Sequence, residues 1–266
     1  MIKLIITDLD GTFLNSQSEY DRDLFHEVRA LMHSQGVQFA ACTGKQCERV
    51  EELFGSLSRD VWIVGDSATR IKYNGEFVYQ SLINNTLGIN IIETLERASQ
   101  ESVVIACTPQ GAVIRQDLAP HLKDKVRGSY RQVIQVSDLS EIAEDFVKIT
   151  VYDEQQRCPQ IRPALDLYQD DVYIVVSEAS WIDIADAGVH KGTTVNKLQK
   201  MLQVSREETM AFGDGYNDIE LLAEAEYSFA MRNAFDETKA AARFVTGTND
   251  ENAVLETIKR LLNLQA

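Results

Sequence analysis

Met1-Ile2-Lys3-Leu4-Ile5-Ile6-Thr7-Asp8-Leu9-Asp10-Gly11-Thr12 sets the frame for the whole chain. Ile2 to Thr7 is a short, nearly continuous apolar run, the pattern of a strand buried on both faces. Two acidic residues two positions apart break it, and a glycine follows. In parallel α/β domains ligands bind outside the carboxyl ends of the strands, so Asp8 and Asp10 stand where a site is expected. The pair suits oxygen ligation of a hard cation. It suits equally a carboxylate nucleophile with an acid/base partner. Asp and Gly are also common at ordinary strand exits, so the motif needs company.

Outward from this strand, Asp21 to Ser34 reads as a helix through Leu24, Val28 and Leu31, with Gly36 as its stop. Val37 to Cys42 reads as a second buried strand, Lys45 to Phe54 as a helix and Val61 to Val64 as a third strand. Such alternation with short loops predicts a parallel α/β sheet. The tail repeats it: helix Thr193–Leu202, strand Met210–Phe212, helix Asp218–Ala225, strand Ser228–Met231, helix Glu237–Ala242, strand Phe244–Thr246 and helix Ala253–Leu262. The middle differs. Helix Leu87–Ser99 precedes strands Val103–Ala106 and Val113–Ile114 around Pro109-Gln110-Gly111, and a polar helical stretch follows at Leu118–Arg127. Strand Phe146–Tyr152 and helix Ile161–Tyr168 lead to a hairpin of Val172–Val176 and Trp181–Ala185. The expected fold is therefore α/β, a Rossmann-like parallel-sheet core of residues 1–81 and 188–266 with an α+β module, 82–187, inserted into it.

The chain of 266 residues is 44% hydrophobic, ample for a buried core and against disorder. It contains no apolar stretch of membrane-spanning length and no signal-peptide pattern. Its four cysteines, Cys42, Cys47, Cys107 and Cys158, lack zinc-site spacing and are expected to be reduced structural thiols. A soluble, cytoplasmic protein is the expectation, and a monomer is preferred. A formal charge of −15 argues against nucleic acid or an anionic membrane as partner. An anionic substrate would need a local pocket of positive potential.

Three further motifs supply the company. Gly213-Asp214-Gly215-Tyr216-Asn217-Asp218 follows a strand and opens a helix, placing carboxylates at a second strand end. Asn217 or Asp218 could equally be a helix cap, although capping leaves the two glycines unexplained. Thr43-Gly44 follows the second strand, where a hydroxyl and free N–H groups at a helix start make an anion site. Capping alone is the commoner reason for a Thr there. Lys191, in Gly188-Val189-His190-Lys191-Gly192, is one of the few cations available to neutralise a phosphate, though a lone lysine is usually solvated.

In order, spacing and strand context these four motifs resemble the haloacid dehalogenase superfamily of phosphohydrolases, and more narrowly its Cof-type branch, whose cap is inserted after the second motif. The interval from Asp8 to Thr43 is too short for a cap, whereas Thr43 to Lys191 holds core elements plus a module of roughly 100 residues. The resemblance implies a phosphatase acting on small phosphorylated metabolites, with sugar phosphates as the default. Asp8 would form an aspartyl-phosphate, and Asp10 would protonate the leaving oxygen and then activate water. Mg²⁺ would be held by Asp8, the backbone carbonyl of Asp10 and Asp214, with Asp218 direct or through water. Leu9, Thr43, Gly44, Lys191 and Asn217 would bind the phosphoryl group. Some positions depart from that branch. Lys45 stands where many relatives carry Arg, Ser67-Ala68-Thr69 or its neighbours where they carry Asn-Gly-Ala, Arg232 where they carry Gly, and Asp183 where they often carry Glu. These bear on substrate choice.

Two other readings use the same residues: a phosphotransferase or sugar phosphomutase that passes the phosphoryl group to a second hydroxyl, and a non-catalytic switch phosphorylated on Asp8. An intact Asp10 argues against the switch, because a mere acceptor needs no leaving-group acid. Among lesser features, His190 is expected to be an exposed loop residue, and Trp181 and the Val172–Val176 run core of the inserted module. Arg70, Lys72, Arg115, Arg127 and Arg131 are expected at the solvated surface.

Overall fold

A computed structural model describes residues 1–265. Along the chain run β1 (Leu4–Thr7), α1 (Arg22–Ser34), β2 (Gln38–Cys42), α2 (Cys47–Phe54), β3 (Val61–Gly65), β4 (Arg70–Tyr73) and β5 (Glu76–Gln80). Then come α3 (Asn85–Ala98), β6 (Val103–Thr108), β7 (Gly111–Arg115), α4 (Pro120–Ser129), β8 (Val133–Val136), β9 (Lys148–Tyr152), α5 (Cys158–Ile161), β10 (Val172–Glu178) and β11 (Trp181–Asp186). The chain closes with α6 (Lys191–Leu202), β12 (Thr209–Gly213), α7 (Ile219–Ala223), β13 (Tyr227–Ala230), α8 (Asp236–Ala241), β14 (Phe244–Val245) and α9 (Ala253–Gln265).

The strands form two sheets. The first has the order β14-β13-β12-β1-β2-β3-β4-β5, the second β10-β11-β9-β6-β7-β8. From β14 to β3 the first sheet is parallel, and β4 and β5 add an antiparallel hairpin at its edge. All four residues of β1 are buried, as a central parallel strand covered on both faces requires. The chain moves from β1 outward to β2 on one side and returns to β12 on the other, so β1 is a topological switch point with a crevice at its carboxyl end. Register brings Thr7 beside Phe212 and Ala41, so the residues that follow these strands emerge together.

Beneath that end lies an aromatic cluster. Phe13 packs against Phe25 edge-on at 5.5 Å and against Phe54 at 5.7 Å, and Tyr20 and Phe39 complete the group. Phe13 follows the acidic motif directly, so its burial fastens that loop to the core. The four cysteines are buried, unbridged thiols, and no described helix is long and apolar enough to cross a membrane.

Several expected elements differ in detail. The hairpin β4–β5 and strand β8 were not expected. Arg70 and Lys72 are buried rather than solvated: Arg70 lies over the Phe77 ring at 4.4 Å, and Lys72 pairs with Glu48 and Glu51. Helix α2 begins at Cys47, so Thr43-Gly44 lies in a loop ahead of it and does not cap it. The stretch expected as one helix at Ile161–Tyr168 is mainly a 3₁₀ segment, Arg162–Tyr168, after the short α5.

Candidate active site

The strand tips gather the predicted residues. Asp8 and Lys191 are buried, and Lys191 Nζ donates to Asp8 Oδ1 at 2.6 Å and to Asp218 Oδ1 at 2.5 Å. Asp218 Oδ2 accepts from the backbone N–H groups of Asp214 and Gly215, each at 2.9 Å. Thr12 Oγ1 donates to Asp214 Oδ1 at 2.7 Å. The two ends of the chain are thus locked together by side chains at neighbouring strand exits.

Glycines make the approach possible. A Cβ on Gly11, which has φ +77°, would lie 2.4 Å from Asp214 Oδ2. A Cβ on Gly213 would lie 2.4 Å from the Asp218 Cβ, and one on Gly215 2.6 Å from Asn217 Oδ1. Close packing of the Asp218 and Asn217 side chains, beyond any capping, therefore accounts for the glycines of the second motif.

Asp8, Asp214 and Asp218 each offer a carboxylate oxygen, all within 4.8 Å of one another. Three carboxylates face the single ammonium of Lys191, which leaves the cluster with excess negative charge. Burial pushes the Asp8 carboxyl well above the usual range. Lys191 opposes that shift, and Asp218, Asp214 and Asp10 add to it. Burial likewise raises Asp214 to about 6, with the Thr12 hydrogen bond opposing and Asp218 adding. Burial alone would lower Lys191, but Asp218 and Asp8 outweigh it and hold the ammonium charged. An all-oxygen set with uncompensated negative charge fits a hard divalent cation, which would reverse the carboxyl shifts.

Asp10 is more exposed, and its side chain turns to Lys45 at 2.9 Å rather than joining the carboxylate cluster. Thr43 is buried and its Oγ1 accepts the Lys45 N–H at 3.2 Å. Gly44, Lys191 and Asn217 line one small recess. The Leu9 side chain is buried in the core, so only its backbone could face a ligand. His190 is not an exposed loop residue: it lines the same recess near the Tyr173 ring, and its Nδ1 is buried without a partner among the described residues.

The second sheet closes over these tips and leaves two connected clefts. One, about 650 Å³, contains Asp8, Asp10, Thr43, Asp214 and Asn217. The other, about 560 Å³, runs from Asp10, Gly44 and Lys45 to Lys125, Tyr130 and Trp181. Trp181 is half-buried: it packs against the core of the second sheet, its ring 4.6 Å from that of Tyr152, and also forms part of the cleft wall. Arg131 remains exposed but pairs with Glu52 across the two sheets. Thr12, Lys45 and Lys148 carry contacts that the motifs did not assign. For Lys148 the available signal was a charge heading the otherwise buried run of β9.

Comparison with known proteins gives the family of the chain. The family model described as haloacid dehalogenase-like hydrolase matches residues 5–258. The 5-amino-6-(5-phospho-D-ribitylamino)uracil phosphatase YbjI of Escherichia coli K12 is 29% identical over all of this chain and 98% of its own. The phosphatase YitU of Bacillus subtilis, described as acting on the same compound, is 26% identical, with 98% of each chain covered. The crystal structure of SMU.1108c from Streptococcus mutans UA159 superposes with a TM-score of 0.92 at 27% identity, covering 99% of this chain and all of that one.

Proposed function

The chain belongs to the haloacid dehalogenase-like hydrolases, and from that premise we propose that it is a Mg²⁺-dependent phosphatase of small phosphomonoesters, working through an aspartyl-phosphate on Asp8. The observation that carries this reading is the buried contact of Asp8 with Lys191 inside a cluster of three carboxylates.

Asp8 and Asp214, with the Asp10 backbone carbonyl, would hold the ion. Asp218, whose oxygens already engage Lys191 and two backbone N–H groups, acts from one step back. Bound Mg²⁺ supplies charge neutralisation at the phosphoryl oxygens. Lys191, the Thr43 hydroxyl, the Asn217 amide and the backbone around Leu9 and Gly44 bind those oxygens and set the ester in line with the Asp8 carboxylate. A carboxylate oxygen of Asp8 bonds to phosphorus as the phosphorus–ester oxygen bond breaks, and the leaving oxygen takes the proton of the Asp10 carboxyl. In the second half water attacks the same phosphorus and gives its proton to Asp10. The bond to Asp8 breaks, and phosphate leaves with the carboxylate restored.

Residues 82–187 act as a cap that reads the leaving group. Lys125, Tyr130, Glu178 and Trp181 on the cleft wall support that role. The compound for which two relatives are named carries its phosphate on a ribityl chain, which supports an ester of that type, a sugar or polyol phosphate, as substrate class. The test is Mg²⁺-dependent phosphate release from a generic aryl phosphate and a panel of sugar phosphates. Full turnover in Asp8→Asn would end the proposal.

A further inference from the structure

Lys148 opens β9 of the second sheet, yet its ammonium reaches two acceptors that belong to the first. The side chain is 3% exposed. Its Nζ donates to the Gly44 carbonyl at 3.1 Å, to the Ser67 hydroxyl at 2.9 Å and to Asp183 Oδ1 at 3.1 Å. An ammonium has three N–H groups, so every donor is engaged. Asp183 is itself held by the hydroxyls of Thr150 and Ser177. Ser67 is the middle of three successive residues with positive φ: Asp66 at 54°, Ser67 at 58° and Ala68 at 68°. Non-glycine residues persist in that region only where their surroundings fix them.

The Gly44 carbonyl shares a rigid peptide plane with the Lys45 N–H, and that N–H donates to Thr43 Oγ1. Holding the carbonyl orients the N–H. The N–H occupies a lone pair of the Thr43 oxygen and leaves the hydroxyl proton to point elsewhere. We propose that Lys148 is a positioning residue for phosphoryl binding: reaching across from the second sheet, it fixes the Gly44–Lys45 peptide and the strained Asp66–Ala68 turn, and so aims the Thr43 hydroxyl. The inference rests on the phosphatase reading above. It means that the phosphoryl subsite is complete only when the two sheets are seated together.

The experiment is a double-mutant cycle with Lys148→Met and Thr43→Val at saturating Mg²⁺. It reads kcat/KM for an aryl phosphate and a sugar phosphate, together with inhibition by inorganic phosphate, which has no leaving group. Lys148→Met is expected to lower kcat/KM roughly tenfold, as for loss of a charged hydrogen bond. The factor should be the same for both esters, with a matching rise in the phosphate inhibition constant. In the Thr43→Val background most of that loss should vanish. Should burial of the unpaired Asp183 unfold Lys148→Met, Ser67→Ala keeps the Lys148–Asp183 pair and should show a smaller, equally uniform loss. Additive effects of Lys148→Met and Thr43→Val overturn the inference. So does a loss that depends on the leaving group with phosphate inhibition unchanged. Wild-type protein that neither hydrolyses these esters nor binds phosphate by calorimetry removes the phosphatase reading and this inference together, whereas active wild type with unaltered variants removes this one alone.

Discussion

At the tips of the first sheet, Asp8, Asp214 and Asp218 converge on one ammonium and keep excess negative charge. In the second sheet the buried Asp153 is satisfied several times over. Its carboxylate accepts from the Gln155 N–H at 2.9 Å and from the Arg157 guanidinium at 2.7 Å, and the other face of that guanidinium meets Glu101. The direction of the carboxyl shifts follows: burial raises Asp8, whereas hydrogen bonding from Arg157 lowers Asp153. One buried aspartate is held at a cost to the folded chain, the other contributes to its stability. Strain of this sort is expected where a site awaits a ligand and unwarranted in a supporting frame.

Asp8→Asn gives the largest effect and tests both halves of that contrast. Turnover should fall by roughly 10³-fold or more, as when a nucleophile is removed from a residue set that acts as a unit. Without metal, the same variant should melt at a higher temperature than wild type, because one of three mutually repelling buried carboxylates that share a single ammonium loses its charge. A lower melting temperature would mean that the cluster is not strained, and the comparison of the sheets would fail.

The pH dependence of the metal-free protein comes next. With Asp214 raised to about 6 from an ordinary 3.8, the folded state binds a proton that the unfolded chain has released between those values. Stability then falls as pH rises through that window, and Asp8, whose carboxyl burial raises well above the usual range, adds to the fall. Asp214→Asn should make this slope shallower, leaving the share of Asp8, and Mg²⁺ should oppose it by favouring the ionised carboxylates. Melting temperatures from pH 4 to 7, with and without Mg²⁺, read the difference.

Trp181→Ala moves to the second sheet and asks whether the division of labour is real. A half-buried cleft wall that touches the leaving group should raise KM several-fold for bulky esters, leaving kcat within about threefold and phosphate inhibition unchanged. A fall in kcat for every ester would give Trp181 a part in the chemistry and blur the division between the two sheets.

The same contrast governs what the amino-acid sequence made legible. Ile2–Thr7 could be read because both faces of the strand are covered and the run is nearly all apolar, and Asp8 and Asp214 because each ends such a run with a glycine close by. The Thr12–Asp214 bond could not, since its partners lie at opposite ends of the chain and neither residue type names the other. Strand β8 is half-exposed along its length and has no periodic signal. Hairpin β4–β5 carries Arg70 and Lys72, which are buried only because Asp66, Glu48 and Glu51 come to meet them. Lys148 was hidden for the same reason: a lysine reads as surface until its acceptors, drawn from both sheets, are known.

Asp153→Asn is the smallest expected effect and the one that isolates the frame from the chemistry. The amide keeps the shape and one acceptor oxygen but loses the charge that the Arg157 guanidinium faces. Stability should drop by about 1.5–3 kcal/mol, the usual range for a hydrogen bond to a charged group, while kcat and KM for an aryl phosphate stay near wild type. Because the folded-state value of this carboxyl is lowered, its contribution is complete above the ordinary carboxylate range and is lost as pH falls through the lowered value. Wild type and Asp153→Asn should therefore differ in melting temperature at pH 7 and converge in strong acid. Equal melting temperatures at pH 7 would show that Arg157 and the backbone donors serve the loop's shape alone. The two aspartates would then no longer mark opposite uses of a buried charge.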